Sequence, residues 1–381
     1  MDEQTWGVCI PGFKANGLRK DKLGLGIIAA DRLCDFAACY TKNHVKAAPV
    51  KLMMAHEGPL SAVALNSGNA NACVSTGYED AARLRREVAL LLDVSEKEVA
   101  VASTGVIGKP MPLEEYVSLS KKVVEYLKPG EEGSLACAQA IMTTDTKAKQ
   151  HSVEHKGIQV GGVAKGAGMI APEMATMLCV LTTNADLVQK DLQSCLSKAV
   201  EKSFNMTCVD GDMSTNDCTY LLSNRKQSCE VRDFQEALDR VCVNLARQIA
   251  WDGEGATKRL TFKVVGAKDE RQAKDAVSAL CASPLVKTAY HGANPNWGRI
   301  FASIGSQVDF NWLNAKITYE AGSLKYAIFS NGKAQEPSGA RPILTQNKIT
   351  TTIDLAQGSA EAEGWGCDLS PEYIRINAEY N

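Results

Sequence analysis

Short apolar runs bounded by turn residues alternate with stretches of helical period through most of this chain, and no other feature limits its possible folds so strongly. In the first third, LGLGIIAAD, FAACYTKNHVKAAPVKLMMA and SAVALNSGNANAC read as buried or half-buried strands separated by loops. Residues 80–92, DAARLRREVALLL, set apolar side chains at helical spacing with charges between them and predict an amphipathic helix. VAVASTGVIGKPMP follows as strand, glycine turn and breaker. PLEEYVSLSKKVVEYL then predicts a helix with acids in its first turn, where the helix dipole favours them. Interleaved strands and helices point to layered α/β architecture.

Further on, MLCVLTTNADL predicts a strand and DLQSCLSKAVEKSF a helix capped by Asp186 or Asp191. VDGDMSTNDC is too rich in Gly, Asp, Ser and Asn for the interior of an element and reads as a loop. FQEALDRVCVNLARQIAWDGEGATK predicts a long helix stopped by Gly253 and Gly255. LTFKVVGA is a strand, KDERQAKDAVSALCASPLVKTAYH mainly helix, and from Gln307 onward the chain is strand-rich. A structural boundary is expected near residue 265. At 381 residues the chain is about twice the usual domain length, enough for two domains or one large layered one.

Charge and composition remove several classes of function. The formal net charge is -2 with no block of like charge, so neither nucleic acid nor an anionic membrane is an expected partner. No run of about 20 apolar residues occurs, and MDEQTWGVCIPGF has acids where a signal peptide needs bases, so a cytoplasmic location is expected. The 13 cysteines form no C-x-x-C pair and are expected as reduced, mostly buried thiols. His151 and His155 stand four apart without a matching carboxylate or thiol, which favours a solvated pair over a metal site. GVIGKP has Pro110 where a phosphate loop needs Ser or Thr, GAGMIA lacks a third glycine and runs into Pro172, and no G-x-S-x-G elbow occurs. Conventional hydrolase and nucleotide machinery is therefore absent from the sequence.

Within AKGAGMIAPEMATMLCVL, residues 164–181, a lone Thr176 sits in an apolar segment. Threonine is common in strands, and a hydroxyl bonded to a backbone carbonyl there is ordinary. The neighbourhood supports a second reading. Gly166 and Gly168 let the backbone approach a reacting group closely, Pro172 fixes the approach, and Ala175 adds no bulk beside the peptide bond before Thr176. A threonine so placed can attack the Ala175 carbonyl, forming an ester that water cleaves. The new α-amine, with an ordinary pKa of about 7.7 to 8.0, then serves as base for the hydroxyl.

KGAGMIAPEMATML resembles the processing site of the ornithine acetyltransferase (glutamate N-acetyltransferase) family of arginine biosynthesis. GFKANGLRK, YTKNHVKAAPV, NSGNANAC, STGVIG, IMTTDTK, VDGDMSTND, GEGATKR and NPNWGR follow the family's order over nearly the whole chain. The resemblance implies a layered α/β sandwich of mixed β-sheets and helices, self-cleaved between Ala175 and Thr176 into an alpha chain, 1–175, and a beta chain, 176–381. These chains are expected to stay together as a dimer of heterodimers. Thr176 is implied as nucleophile, and Thr104 with Gly105 as the oxyanion hole. Lys165, Thr143 (with its neighbour Thr144 open), Glu254, Asn377 and Thr176 are implied as substrate-binding. Residue by residue the ordinary alternatives are a strand-to-turn Thr-Gly, a surface lysine and a glutamate bonded to the end of the preceding helix.

By the same resemblance the reaction is acetyl transfer from N2-acetylornithine to glutamate through acetyl-threonine, with a ping-pong pattern and with no metal and no organic cofactor expected. Whether acetyl-CoA is also a donor stays open. Three departures stand out: Glu173 where a neutral residue is usual, Asn294 where Asp is usual, and INAEYN at Asn381 in place of two terminal Thr or Ser residues. Two other classes remain, a self-processing aminopeptidase or amidase that passes its acyl group to water, and an uncleaved binding protein.

Overall fold

The computed structural model describes residues 1–171 and 177–379. Ala175 and Thr176, with Glu173 and Asn381, lie outside the described residues. The described chain divides into two compact units: 1–166, 177–205 and 213–245 make the first, and 167–171, 206–212 and 246–379 the second.

In the first unit ten strands form one mixed sheet. They are β1 (Asp2–Gln4), β2 (Phe13–Lys20), β3 (Leu23–Tyr40), β4 (Leu60–Asn69), β5 (Val99–Val106), β6 (Lys128–Pro129), β7 (Lys149–His155), β8 (Ile158–Lys165), β9 (Leu178–Asp186) and β10 (Cys218–Ser228). The order is β1-β7-β8-β9-β10-β3-β2-β6, with β4 beside β3 and β5 beside β4. Pairs β4–β5 and β9–β10 are parallel and the rest antiparallel. β3 organises this sheet: its first half pairs with β2 and β4, its second half with β10. Its segment GLGII is buried at every position, as a strand covered on both faces must be.

Five helices belong to this unit: α1 (Ala48–Met54), α2 (Gly77–Leu92), α3 (Leu113–Glu125), α4 (Gly130–Ala140) and α5 (Gln189–Lys202). α3 and α4 pack against β2 and β3, and α5 packs against β3. Two expectations are corrected. APVKLMM is helix α1, not strand: Pro49 sits in the first turn, where its missing N–H costs nothing and its fixed φ suits a helix. The cap of α5 is the backbone of Val188, because Asp186 ends β9, where its carboxylate accepts a hydrogen bond from Arg225 at 2.7 Å, and Asp191 lies inside the first turn.

α6 (Val231–Trp251) carries the chain past Leu245 into the second unit. There β11 (Arg259–Ala267), β12 (Lys316–Ala321), β13 (Leu324–Ser330), β14 (Lys333–Ala334), β15 (Lys348–Asp354) and β16 (Ala360–Cys367) pair in the order β14-β13-β12-β15-β11-β16. α7 (Glu270–Ala282) covers β11 and β16. The helical stretch after it is broken at Ser283, which ends α7 and caps α8 (Pro284–His291) by accepting the Val286 N–H. α9 (Trp297–Gly305), the short α10 (Arg341–Leu344) and α11 (Pro371–Glu379) complete it. The layered α/β class therefore holds, with mixed sheets and helices packed on them. All 13 cysteines are free thiols, most of them buried. Among the described residues no helix is long and apolar enough to cross a membrane.

Candidate active site

The expected oxyanion pair lies at the end of β5. Ser67 and Gly68 of β4 run beside Thr104 and Gly105, and Gly105 has φ +133°, a conformation that L side chains rarely adopt. A Cβ there would sit 2.3 Å from the Gly68 carbonyl carbon and 2.4 Å from the Asn69 nitrogen. Only glycine lets the two strands approach this closely. Two asparagines brace the turn: Asn66 accepts the Ser103 hydroxyl at 2.5 Å, and Asn216 donates to the carbonyls of Ser103 at 2.8 Å and Ala70 at 2.6 Å.

Lys165, the last residue of β8, is only 2 % exposed and is therefore no surface lysine. Its ammonium donates to Thr104 Oγ1 at 3.3 Å. Because the hydroxyl oxygen accepts that bond, its own proton remains for donation elsewhere, which is what an oxyanion hole requires. Lys165 is followed by Gly166, whose N–H donates to Asp145 Oδ1 at 2.7 Å. The same oxygen accepts from Lys149 Nζ at 2.6 Å, and Asp145 Oδ2 accepts the Thr143 N–H at 3.0 Å. The first unit thus brings Lys165 and Thr143 to one buried carboxylate, with Thr104 bonded to Lys165. Burial by itself would raise the Asp145 carboxyl. Lys165 and Lys149 outweigh it and, with the hydrogen bonds it accepts, hold Asp145 well below the usual carboxylate range.

Asp217, at the start of β10, is fully buried and accepts the Met177 N–H at 2.8 Å on Oδ1. Its Oδ2 has no hydrogen-bond partner among the described residues. Burial pushes this carboxyl well above its ordinary range, against the opposing pull of the Met177 N–H and Lys165.

Glu254 and Asn377 meet in the second unit, where Asn377 of α11 donates to Glu254 Oε2 at 2.7 Å. The Glu254 N–H donates to the Ala167 carbonyl at 2.8 Å, which places the carboxylate over the glycine loop. A Cβ on Gly168 would stand 2.4 Å from that carboxylate. Asp210 accepts the N–H groups of Met169 and Ile170 at 2.6 and 2.9 Å, and Tyr373 of α11 donates its hydroxyl to the same carboxylate at 3.1 Å. Asp368, just past β16, accepts the Thr257 and Lys258 N–H groups and so anchors the GEGATK turn. Both glycines of GAG therefore have structural reasons: Gly166 offers its N–H to Asp145, and Gly168 makes room for Glu254.

Sequence reasoning missed Asp145, Asp210, Asp217 and Tyr373. Each aspartate stands in a polar stretch where it looks like any turn residue, and each holds at least one backbone N–H that is distant in sequence. His151 and His155 lie on strand β7, where i and i+4 share a face. His155 gathers with Asp233 and Glu236 rather than with His151, and Lys156 already pairs with Asp233 at 2.8 Å.

Residues 12–381 match the model of the ArgJ family. The chain is 44 % identical over 390 residues to a glutamate N-acetyltransferase of Methanothermobacter thermautotrophicus, covering 98 % of this chain and 97 % of that protein. It is 41 % identical over 391 residues to the arginine biosynthesis bifunctional protein ArgJ of Caldanaerobacter subterraneus, covering 97 % and 96 %. A crystal structure of ornithine acetyltransferase from Mycobacterium tuberculosis complexed with ornithine is 36 % identical, covers 44 % of this chain and 95 % of that one, and has a TM-score of 0.41. The match to the family model and the two near full-length likenesses lead to one conclusion: this chain belongs to the ArgJ family.

Proposed function

We propose that this protein transfers the acetyl group of N2-acetylornithine to glutamate through an acetyl ester on Thr176. The observation that carries the reading is the Lys165–Thr104 contact. It sets a hydroxyl with its proton free for an oxyanion beside an ammonium suited to an amino-acid carboxylate. In this mechanism Thr176 first attacks the Ala175 carbonyl, and water cleaves the resulting ester, leaving chains 1–175 and 176–381 associated as a dimer of heterodimers. The free α-amine then takes the proton of the Thr176 hydroxyl as the oxygen attacks the acetyl carbonyl. Thr104 and the Gly105 N–H stabilise the tetrahedral oxyanion. Collapse releases ornithine, whose leaving nitrogen takes the proton back, and the amine of glutamate attacks the ester in the reverse sequence.

Lys165 and Thr143 serve the α-carboxylate of either amino acid, while Glu254, held by Asn377, pairs with the side-chain amine of ornithine. The test is the rate of N-acetylglutamate formation from acetylornithine as both substrates are varied. Parallel double-reciprocal lines are expected. Continuous ornithine release without glutamate would identify a hydrolase instead. One relative is named a glutamate N-acetyltransferase and another a bifunctional protein. Substituting acetyl-CoA for acetylornithine in the same assay decides whether this chain also accepts that donor.

Gly168→Ala tests the Glu254 assignment. The added methyl displaces the carboxylate from Asn377, so the KM for acetylornithine should rise by about tenfold with kcat little changed, as for loss of a contact made equally in the ground and transition states. The KM for glutamate, which has no side-chain amine, should move much less.

A further inference from the structure

Asp145 gathers four groups, two of which, Thr143 and Lys165, belong to residues that the proposed reaction uses. Its oxygens take the Thr143 N–H, the Gly166 N–H and the Lys149 ammonium, and Lys165 lies near enough to act on it electrostatically. Lys149 and Lys165 are 1 % and 2 % exposed, so two ammonium groups are buried around one carboxylate. Without that anion, the Lys165 ammonium would be left with the like charge of Lys149 nearby in a medium that screens poorly, which disfavours its charged form. A neutral amine holds a carboxylate weakly.

We infer that Asp145 is a positioning residue for the substrate carboxylate, fixing Thr143 and the turn after Lys165 and keeping the buried Lys165 ammonium charged beside that of Lys149. The inference rests on the proposed role of Lys165. Charged groups that act on or share a partner with Lys165 include Asp145 before β7, Asp217 just before β10, and Lys149 on β7, which holds the same Asp145 carboxylate. Burial raises the Asp217 carboxyl, so it is the weaker counter-charge. The sign follows directly. An ammonium whose proton is loosened by a like charge is competent at low pH and fails as pH rises through its lowered value.

The experiment titrates ornithine calorimetrically into wild-type protein, Asp145→Asn and the double variant Asp145→Asn/Lys149→Met, from pH 6.5 to 9, with melting temperatures recorded beside each. Ornithine needs no turnover, so the readout survives a variant that fails to process itself. Taking each variant's Kd relative to wild type cancels the titration of ornithine itself. For Asp145→Asn the ratio should be about 10 at neutral pH and climb by about a further tenfold toward pH 9. Removing the second ammonium in the double variant should flatten that climb, which a general loss of packing would not do. A ratio near one, a loss of binding that does not vary with pH, or an equally steep climb in the double variant overturns the inference. Failure of the wild type to bind ornithine at any pH overturns the underlying reading of Lys165, whatever the variants do.

Discussion

Thr176→Ala is expected to remain a single chain of 40.9 kDa under denaturing conditions, whereas the wild type separates into two fragments, the larger beginning at Thr176. The substitution removes the attacking hydroxyl, so the Ala175 carbonyl has no internal nucleophile, and the base that would arise from cleavage never forms. Acetyl transfer should fall on the order of a millionfold, the scale at which loss of a covalent nucleophile leaves only binding and oxyanion contributions. Thr176→Ser separates the two roles. Serine keeps a hydroxyl without the methyl, so cleavage and transfer should both persist at reduced rates. An uncut wild type would leave Thr176 without a catalytic part and favour the uncleaved binding protein.

Gly105→Ala carries the second large effect. The new methyl would lie 2.3 Å from backbone of β4, which cannot yield as a flexible side chain would, and φ +133° is strained for any L residue. The β4–β5 ladder must shift, taking with it the Gly105 N–H and the Thr104 hydroxyl. kcat should fall by at least 100-fold to 1000-fold, the usual loss for one oxyanion donor, and thermal stability should fall with it. Thr104→Ala is the control: it removes one donor without touching the backbone. Its kcat should fall over the same range with little change in melting temperature. Equal melting losses in both variants would mean that Thr104 serves packing rather than the oxyanion.

How far the sequence could be read depended on whether each signal was local. α2, α3 and α7 were legible because their apolar spacing is a property of neighbouring residues. α4 was not: GEEGSLACAQA has no strong apolar stripe and packs by smallness, a Cβ on Gly133 falling 2.1 Å from the Lys128 carbonyl oxygen. α1 was misread because APVKLMM is a compact apolar run, and its proline fits a helix start as well as a strand end. Among the candidate functional residues, Thr104, Lys165 and Thr143 of the first unit and Glu254 and Asn377 of the second were named through family resemblance, since each has an ordinary explanation by itself. Asp145 escaped because its importance is relational. Nothing in TTDT announces that the chain will return 21 residues later to place Gly166 N–H against it.

The central claim is that the acetyl group rests on Thr176 between the two half-reactions. Its most direct test is to mix the processed enzyme with N2-acetylornithine and no glutamate, quench in acid, and measure the mass of the fragment that begins at Thr176. The account predicts a fragment heavier by one acetyl group, mapped to its first residue, with stoichiometric ornithine released. Glutamate added before the quench should remove the label as N-acetylglutamate. A fragment of unchanged mass while acetylglutamate still accumulates, or an acetyl group found elsewhere in the chain, would contradict it.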